Sequence, residues 1–235
     1  MICDPYALVI AAAIAWASLA ALRARRGDPP GATDAVVFLL LWIPFDLRWF
    51  CELYCGPHGD HGYELWALYV TTLGIVGWGV LRAYPALGLK LPGARDLCWG
   101  MAALVAFGAI AIPVGAWTGF LRWNPRLPDV AQAVLQLVGI ALFVALPEEL
   151  YFRGIMQSGL AQRLKRPVLA LLLTSLAFGL MHWNNAGELR EQLIYCGLAA
   201  VAGVFYGIAF RYGRGLGPAI LCHTAVDWVW ISFLR

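Results

Sequence analysis

Two adjacent glutamates, Glu148 and Glu149, follow a long apolar run from Val130 to Leu146. Inserting an ionisable group into an apolar span costs about 2.5–3.5 kcal/mol, so such groups are the first candidates for function. Glu149 and Arg153 are four positions apart and would share one face of a helix, whereas Glu148 is rotated from Glu149 by about 100°. The spacing predicts an ion pair between Glu149 and Arg153 and leaves Glu148 as a candidate general base. The alternative is an interfacial helix end with two solvated glutamates.

Two histidines lie on later apolar segments. His182 comes one helical turn after Phe178, where a histidine is more commonly a hydrogen-bonded interfacial residue. His223 and Asp227 are four positions apart, and a carboxylate beside an imidazole fixes its tautomer. A polar clamp between helices is the alternative for this second pair. Taken together, a glutamate and a histidine can activate water, and a second histidine can stabilise an oxyanion, which predicts a hydrolase site.

The composition indicates the surroundings of these groups. Of 235 residues, 61% are hydrophobic and 13% are charged, and the mean hydropathy is +0.71. Soluble domains carry about 25% charged residues, so this chain has too little polar surface for water. Its net charge of +3 comes from basic residues between apolar runs, which is typical of membrane topology and not of nucleic-acid binding. We therefore predict an all-α, polytopic transmembrane helix bundle.

A spanning helix needs about 20 mostly apolar residues, and about eight segments qualify. The helix that carries Glu148 is expected to continue to Leu164, which makes it about 35 residues and about 52 Å long. Glu148 would then lie near the middle of this helix, with Pro147 as a kink. The predicted spans are residues 5–22, 35–50, 64–81, 97–117, 130–153, 167–183, 192–210 and 216–234.

Three motifs occur in order on successive hydrophobic segments: EExxxR at Glu148–Arg153, FxxxH at Phe178–His182 and HxxxD at His223–Asp227. Their combination resembles the CPBP family, the CAAX prenyl endopeptidases and bacteriocin-processing enzymes that are also called ABI proteins. The resemblance implies an all-helical intramembrane glutamate endopeptidase with its catalytic core in residues 130–235. Residues 1–129 would supply N-terminal transmembrane helices of one membrane domain that spans residues 1–235.

The resemblance also implies a role for each site residue. Glu148 together with His182 would activate the attacking water, and His223 with Asp227 would stabilise the oxyanion. Glu149 and Arg153 would shape and orient the site. The eukaryotic CAAX enzymes have asparagine where this chain has Asp227, and an aspartate has no amide N–H to donate. Asp227 is therefore expected to orient His223 or to act as a protonated donor.

A zinc-dependent version of the same protease is an alternative, because Glu148, His182 and His223 are all capable of binding zinc. The absence of an HExxH motif, and the position of the three residues on three segments, favour a reaction without a metal or other cofactor. A second cluster of metal-capable residues lies within Cys55–His61, in a segment rich in glycine that we interpret as a polar loop.

The resemblance implies a membrane-tethered protein or peptide as substrate, cleaved near the membrane surface, with a C-terminal sorting segment as the specific hypothesis. The bilayer is the other partner, and no nucleic acid is expected. The compact size favours a prokaryotic protein with multiple spans in the bacterial inner (plasma) membrane. A non-catalytic membrane scaffold or bacteriocin-immunity protein is the main alternative; a transporter would be expected to show an internal repeat, which the sequence lacks.

Overall fold

The computed structural model describes residues 5–47, 49 and 62–234, and within these residues it is all-helical, as predicted. Eight helices follow one another along this part of the chain, and two of them have fewer than 18 residues. We number them α1 (Pro5–Ala24), α2 (Ala32–Asp46), α3 (Gly62–Leu81), α4 (Ala94–Thr118), α5 (Val130–Leu164), α6 (Pro167–Leu180), α7 (Leu189–Gly213) and α8 (Leu216–Leu234).

Five of these helices, α3, α4, α5, α7 and α8, are long and apolar enough to cross a membrane. α6 and the Leu8–Ala24 part of α1 are apolar but shorter. Large apolar side chains such as Val105, Leu135 and Trp117 are exposed on the helices, which suits a lipid environment and not water. The protein is therefore an integral membrane protein, but the predicted number of eight spans is not confirmed.

Helix α5 is one continuous helix of 35 residues, which confirms that the Glu148 helix extends to Leu164. Its regular α-helical hydrogen bonding is interrupted by two π-helical stretches, Ala141–Ala145 and Leu150–Gln157. Between them lies a single α-helical turn, Leu146–Glu149, which carries both glutamates. Pro147 has no N–H to donate, so a wider turn around it can relieve the interrupted ladder. π-Helical turns occur frequently at functional sites.

The described chain divides into two compact units, Met1–Leu87 and Gly88–Arg235. In the first unit, the side chain of Arg82 is almost fully buried and its Nε lies 3.1 Å from Oδ1 of Asp34. Trp78 donates a hydrogen bond to the same carboxylate, and Arg82 also donates to the carbonyl of Asp28. This polar cluster joins the first turn of α2 to the end of α3. The single membrane domain stays a prediction.

The second unit contains all of the predicted site residues, and it begins before α4, upstream of the predicted core boundary at residue 130. Helix α7 packs against α4, α6 and α8. Two glycines on α7 permit a close approach to both α5 and α6. A Cβ atom on Gly203 would lie 3.1 Å from Cα of Ser175, and one on Gly207 would lie 2.5 Å from Oε1 of Gln157. Small residues at such contacts are characteristic of helices that pack in membranes.

Candidate active site

The imidazole of His223 is the centre of the site. Its Nδ1 lies 2.8 Å from Oε1 of Glu149, on a helix 74 positions earlier in the chain. Its Nε2 lies 3.8 Å from Oε2 of Glu148 and 3.6 Å from Oδ2 of Asp227. A carboxylate accepts hydrogen bonds, so Nδ1 of His223 donates its proton to Glu149 and Nε2 faces the other two carboxylates. The first and third sequence motifs therefore meet at one imidazole ring.

The ion pair predicted between Glu149 and Arg153 is present. Nε of Arg153 lies 3.1 Å from Oε2 of Glu149, and both side chains are fully buried. Arg153 also donates from Nη2 to the carbonyl of Gly203, and its guanidinium lies 4.4 Å from the ring centre of Phe178 and 5.3 Å from that of Tyr206. A buried charge pair needs such additional partners to offset desolvation. Glu149 is consequently not a solvated residue of a helix end.

Glu148 lies in a different environment from its neighbour. Its side chain is 14% exposed, and its only described ion pair is the 3.8 Å approach to His223. Oε2 of Glu148 is a buried atom that has no hydrogen-bond partner among the described residues. The rotation of about 100° between successive helical residues therefore separates a carboxylate that faces both His223 and Arg153 from one whose described ion pair is the single approach to His223.

His182 follows α6, at the start of the turn Trp183–Asn185. Its Nδ1 lies 2.8 Å from the carbonyl oxygen of Phe178, to which it donates a hydrogen bond when that nitrogen carries the proton. The rings of His182 and Phe178 are 4.8 Å apart. Within the described residues His182 forms no ion pair with Glu148. The second motif thus meets the first through Phe178, whose ring lies 4.4 Å from the guanidinium of Arg153, and not through His182.

Aromatic rings surround the imidazole of His223. Tyr206 stacks on it with a centroid distance of 4.6 Å and an interplanar angle of 16°. Phe178 contacts it edge-on at 5.8 Å and 86°, and the rings of Phe178 and Tyr206 are 6.0 Å apart. Tyr206 is not among the residues predicted from the sequence. It lies on α7, which carries no motif, and only the assembled fold brings it to His223.

A cavity of about 640 Å³ opens beside this cluster. Helices α4, α7 and α8 line it, and its walls are mainly apolar. His182, His223 and Asp227 all line the cavity, so the second and third motifs face the same space. Gly108 of α4 and Tyr206 of α7 also line the cavity. A mostly apolar cavity with a few convergent polar groups is the usual form of a binding site.

The described residues contain no group of three His, Cys, Asp or Glu side chains arranged to hold a metal ion. Nδ1 of His223 is occupied by Glu149. The zinc ligand set of Glu148, His182 and His223 stays a prediction. The Cys55–His61 segment, the second metal-capable cluster, lies outside the described residues.

Residues 130–229 match the family model described as Type II CAAX prenyl endopeptidase Rce1-like. The matched segment includes Glu148, Glu149, Arg153, His182, His223 and Asp227. No curated protein and no solved structure matches the chain. The resemblance seen in the motifs is therefore confirmed for this segment, which is similar to the CAAX-type membrane proteases. A protease of this kind implies a peptide or protein substrate and embedding in the membrane.

Proposed function

We propose that the protein is a glutamate-type intramembrane endopeptidase that hydrolyses a peptide bond near the membrane surface in a membrane-tethered protein or peptide. The observation that carries this proposal is the convergence of Glu148, Glu149 and Asp227 on the imidazole of His223. A polar clamp between helices would need only one carboxylate partner for His223. Here three carboxylates surround the imidazole beside a cavity, so Glu148 can act as the base and His223 as the charged hydrogen-bond donor.

Glu148 is the general base in this proposal. Its unpartnered Oε2 can accept a proton from water, and the nearby His223 keeps the carboxylate in a fixed environment. His182 assists, because Nδ1 bound to the Phe178 carbonyl leaves Nε2 for the same water molecule. The resulting hydroxide attacks the carbonyl carbon of the substrate. Glu148 then returns the proton to the leaving amine as the C–N bond breaks.

His223 stabilises the oxyanion. Because Nδ1 donates to Glu149, donation to substrate comes from Nε2 of the imidazolium form, and the negative charges of Glu149 and Asp227 compensate that positive charge. Asp227 lies 3.6 Å from Nε2 and orients the ring edge toward the cavity. Removing one donor from an oxyanion site costs about 10²–10³ in kcat. Arg153 holds Glu149 in place and has no direct part in bond cleavage.

The apolar cavity supports an apolar peptide segment as substrate. Its walls suit the aliphatic and aromatic side chains of a segment that is held at the membrane, and they bring that segment against His182 and His223. A C-terminal sorting segment of a tethered protein has this chemistry, and we propose it as the substrate. The corresponding location is the inner (plasma) membrane of a bacterium.

The experiment compares purified, detergent-solubilised wild type, Glu148→Ala and His223→Ala on tethered candidate peptides, with and without a chelator, followed by mass spectrometry. We expect cleavage by the wild type, loss in both variants and no effect of the chelator. Loss of cleavage with the chelator would support the zinc-dependent version instead. Cleavage that survives Glu148→Ala would exclude the proposed base, and wild type without cleavage of any tethered peptide would favour a scaffold or immunity role.

A further inference from the structure

Helix α7 carries none of the sequence motifs, yet one of its residues, Tyr206, stacks on the imidazole of His223. Tyr206 is 2% exposed, and its ring lies nearly parallel to the imidazole of His223 at 4.6 Å. The same ring lies 5.3 Å from the guanidinium of Arg153. Tyr206 therefore contacts both partners of Glu149.

The hydrogen bond from Nδ1 to Glu149 restrains rotation of the imidazole about the Cβ–Cγ bond of His223, but a hydrogen bond tolerates a range of donor angles. Rotation within that range moves Nε2 relative to Glu148 and Asp227. The parallel face of Tyr206 blocks that rotation, because it would drive the imidazole into the phenol ring. Phe178 meets the imidazole edge-on and supports the arrangement from a second direction.

We propose that Tyr206 is a positioning residue that holds the plane of the His223 ring so that Nε2 stays directed at the reacting groups. The proposal rests on the proposed function, since it assigns Tyr206 a part in the same reaction. The stacked face carries the effect, and the hydroxyl does not. Phenylalanine keeps the planar face and should therefore substitute functionally for Tyr206, whereas leucine is apolar but has no planar face.

The kinetic experiment compares Tyr206→Leu, Tyr206→Phe and Tyr212→Leu in the full chain, each purified to the same folded fraction. Tyr212 is the matched control, because it lies on the same helix and stacks on Trp99, away from His223. Misplacement of a reacting group by about 1 Å can cost about 10²-fold in rate. We expect Tyr206→Leu to lower kcat by about 10- to 100-fold with little change in KM, and the other two variants to stay within about twofold of wild type.

A second measurement is independent of turnover. Protein labelled with ¹⁵N-histidine reports the hydrogen-bonded Nδ1–H proton of His223, which is assigned by its loss in His223→Asn. We expect slow exchange of this proton in wild type and in Tyr206→Phe, and at least tenfold faster exchange in Tyr206→Leu. An unchanged exchange rate in Tyr206→Leu would overturn the proposal. If wild type cleaves no peptide, the proposed function is excluded, but the exchange rate still tests whether Tyr206 positions the His223 ring.

Discussion

Replacement of Glu149 by glutamine tests the buried charge network without a change in shape. In the native protein the two carboxylate oxygens face different partners, Nδ1 of His223 at 2.8 Å and Nε of Arg153 at 3.1 Å. Glutamine offers one acceptor and one donor. If its oxygen faces Arg153, its NH₂ group faces Nδ1 of His223, which must then give up its proton. If its oxygen faces His223, the NH₂ group meets the guanidinium, and two donors oppose each other.

The magnitude follows from burial. Both Glu149 and Arg153 are fully buried, so the variant leaves a guanidinium without its charge partner. Breaking a buried pair in this way costs about 3–5 kcal/mol. For a chain of this size about 1 kcal/mol shifts Tm by about 2–4 °C, so Glu149→Gln should lower Tm by about 6–20 °C. Loss of the imidazole tautomer should also lower kcat, by about 10²–10⁴-fold as judged from comparable carboxylate–histidine pairs.

The assay separates the two effects with a double variant. Arg153→Met in the Glu149→Gln background removes the orphaned charge and should recover more than half of the lost Tm. It should not restore kcat, because His223 still lacks a carboxylate at Nδ1. We would measure thermal unfolding in detergent and peptide cleavage on both the single and the double variant, to separate the loss of stability from the loss of activity. Native Tm and native kcat in Glu149→Gln would refute this account of the network.

Two other substitutions probe the elements around the site. Gly108→Leu should raise KM about tenfold for an apolar peptide, because a side chain at position 108 enters the cavity, where its Cβ would contact Ile112. Gly139→Leu, whose Cβ has no neighbour within 4 Å, is the control and should leave KM unchanged. An equal KM in the two variants would argue against binding of the peptide in the cavity. Gly207→Ala should lower Tm by several degrees, since its Cβ would meet Leu171 and Oε1 of Gln157; a thermal scan that shows no loss would mean that α7 can move away from α5 and α6 without cost.

Helical spacing predicted the contacts within each helix of the site but not the contacts between helices. Glu149 with Arg153, and His223 with Asp227, are pairs four positions apart, and the structure brings both pairs together. The contact between Glu149 and His223 joins helices 74 positions apart, and no periodicity within one helix can predict it. Tyr206 was not predicted for the same reason, because a tyrosine in an apolar helix is unremarkable until its neighbour is known.

Hydropathy predicted the helical class and the approximate position of the helices, because apolar runs persist over the length of a span. It did not establish the number of spans, since α6 and the apolar part of α1 fall below 18 residues although their sequences are apolar. The extension of α5 to Leu164 was predicted as the arrangement that places Glu148 near the middle of its helix. The π-helical stretches around Glu148 were not predicted from the sequence, although Pro147 was expected to interrupt the helix there.

Glu148 is the proposed base that activates water, and the most direct test of this role is the cleavage rate of Glu148→Gln on a tethered apolar peptide in proteoliposomes. Glu188→Gln is the matched control, because Glu188 is exposed and precedes α7, outside the site. We expect a loss of at least about 10³-fold in kcat for Glu148→Gln, with native Tm, and native activity in the control. Cleavage by Glu148→Gln at the wild-type rate would exclude Glu148 as the base.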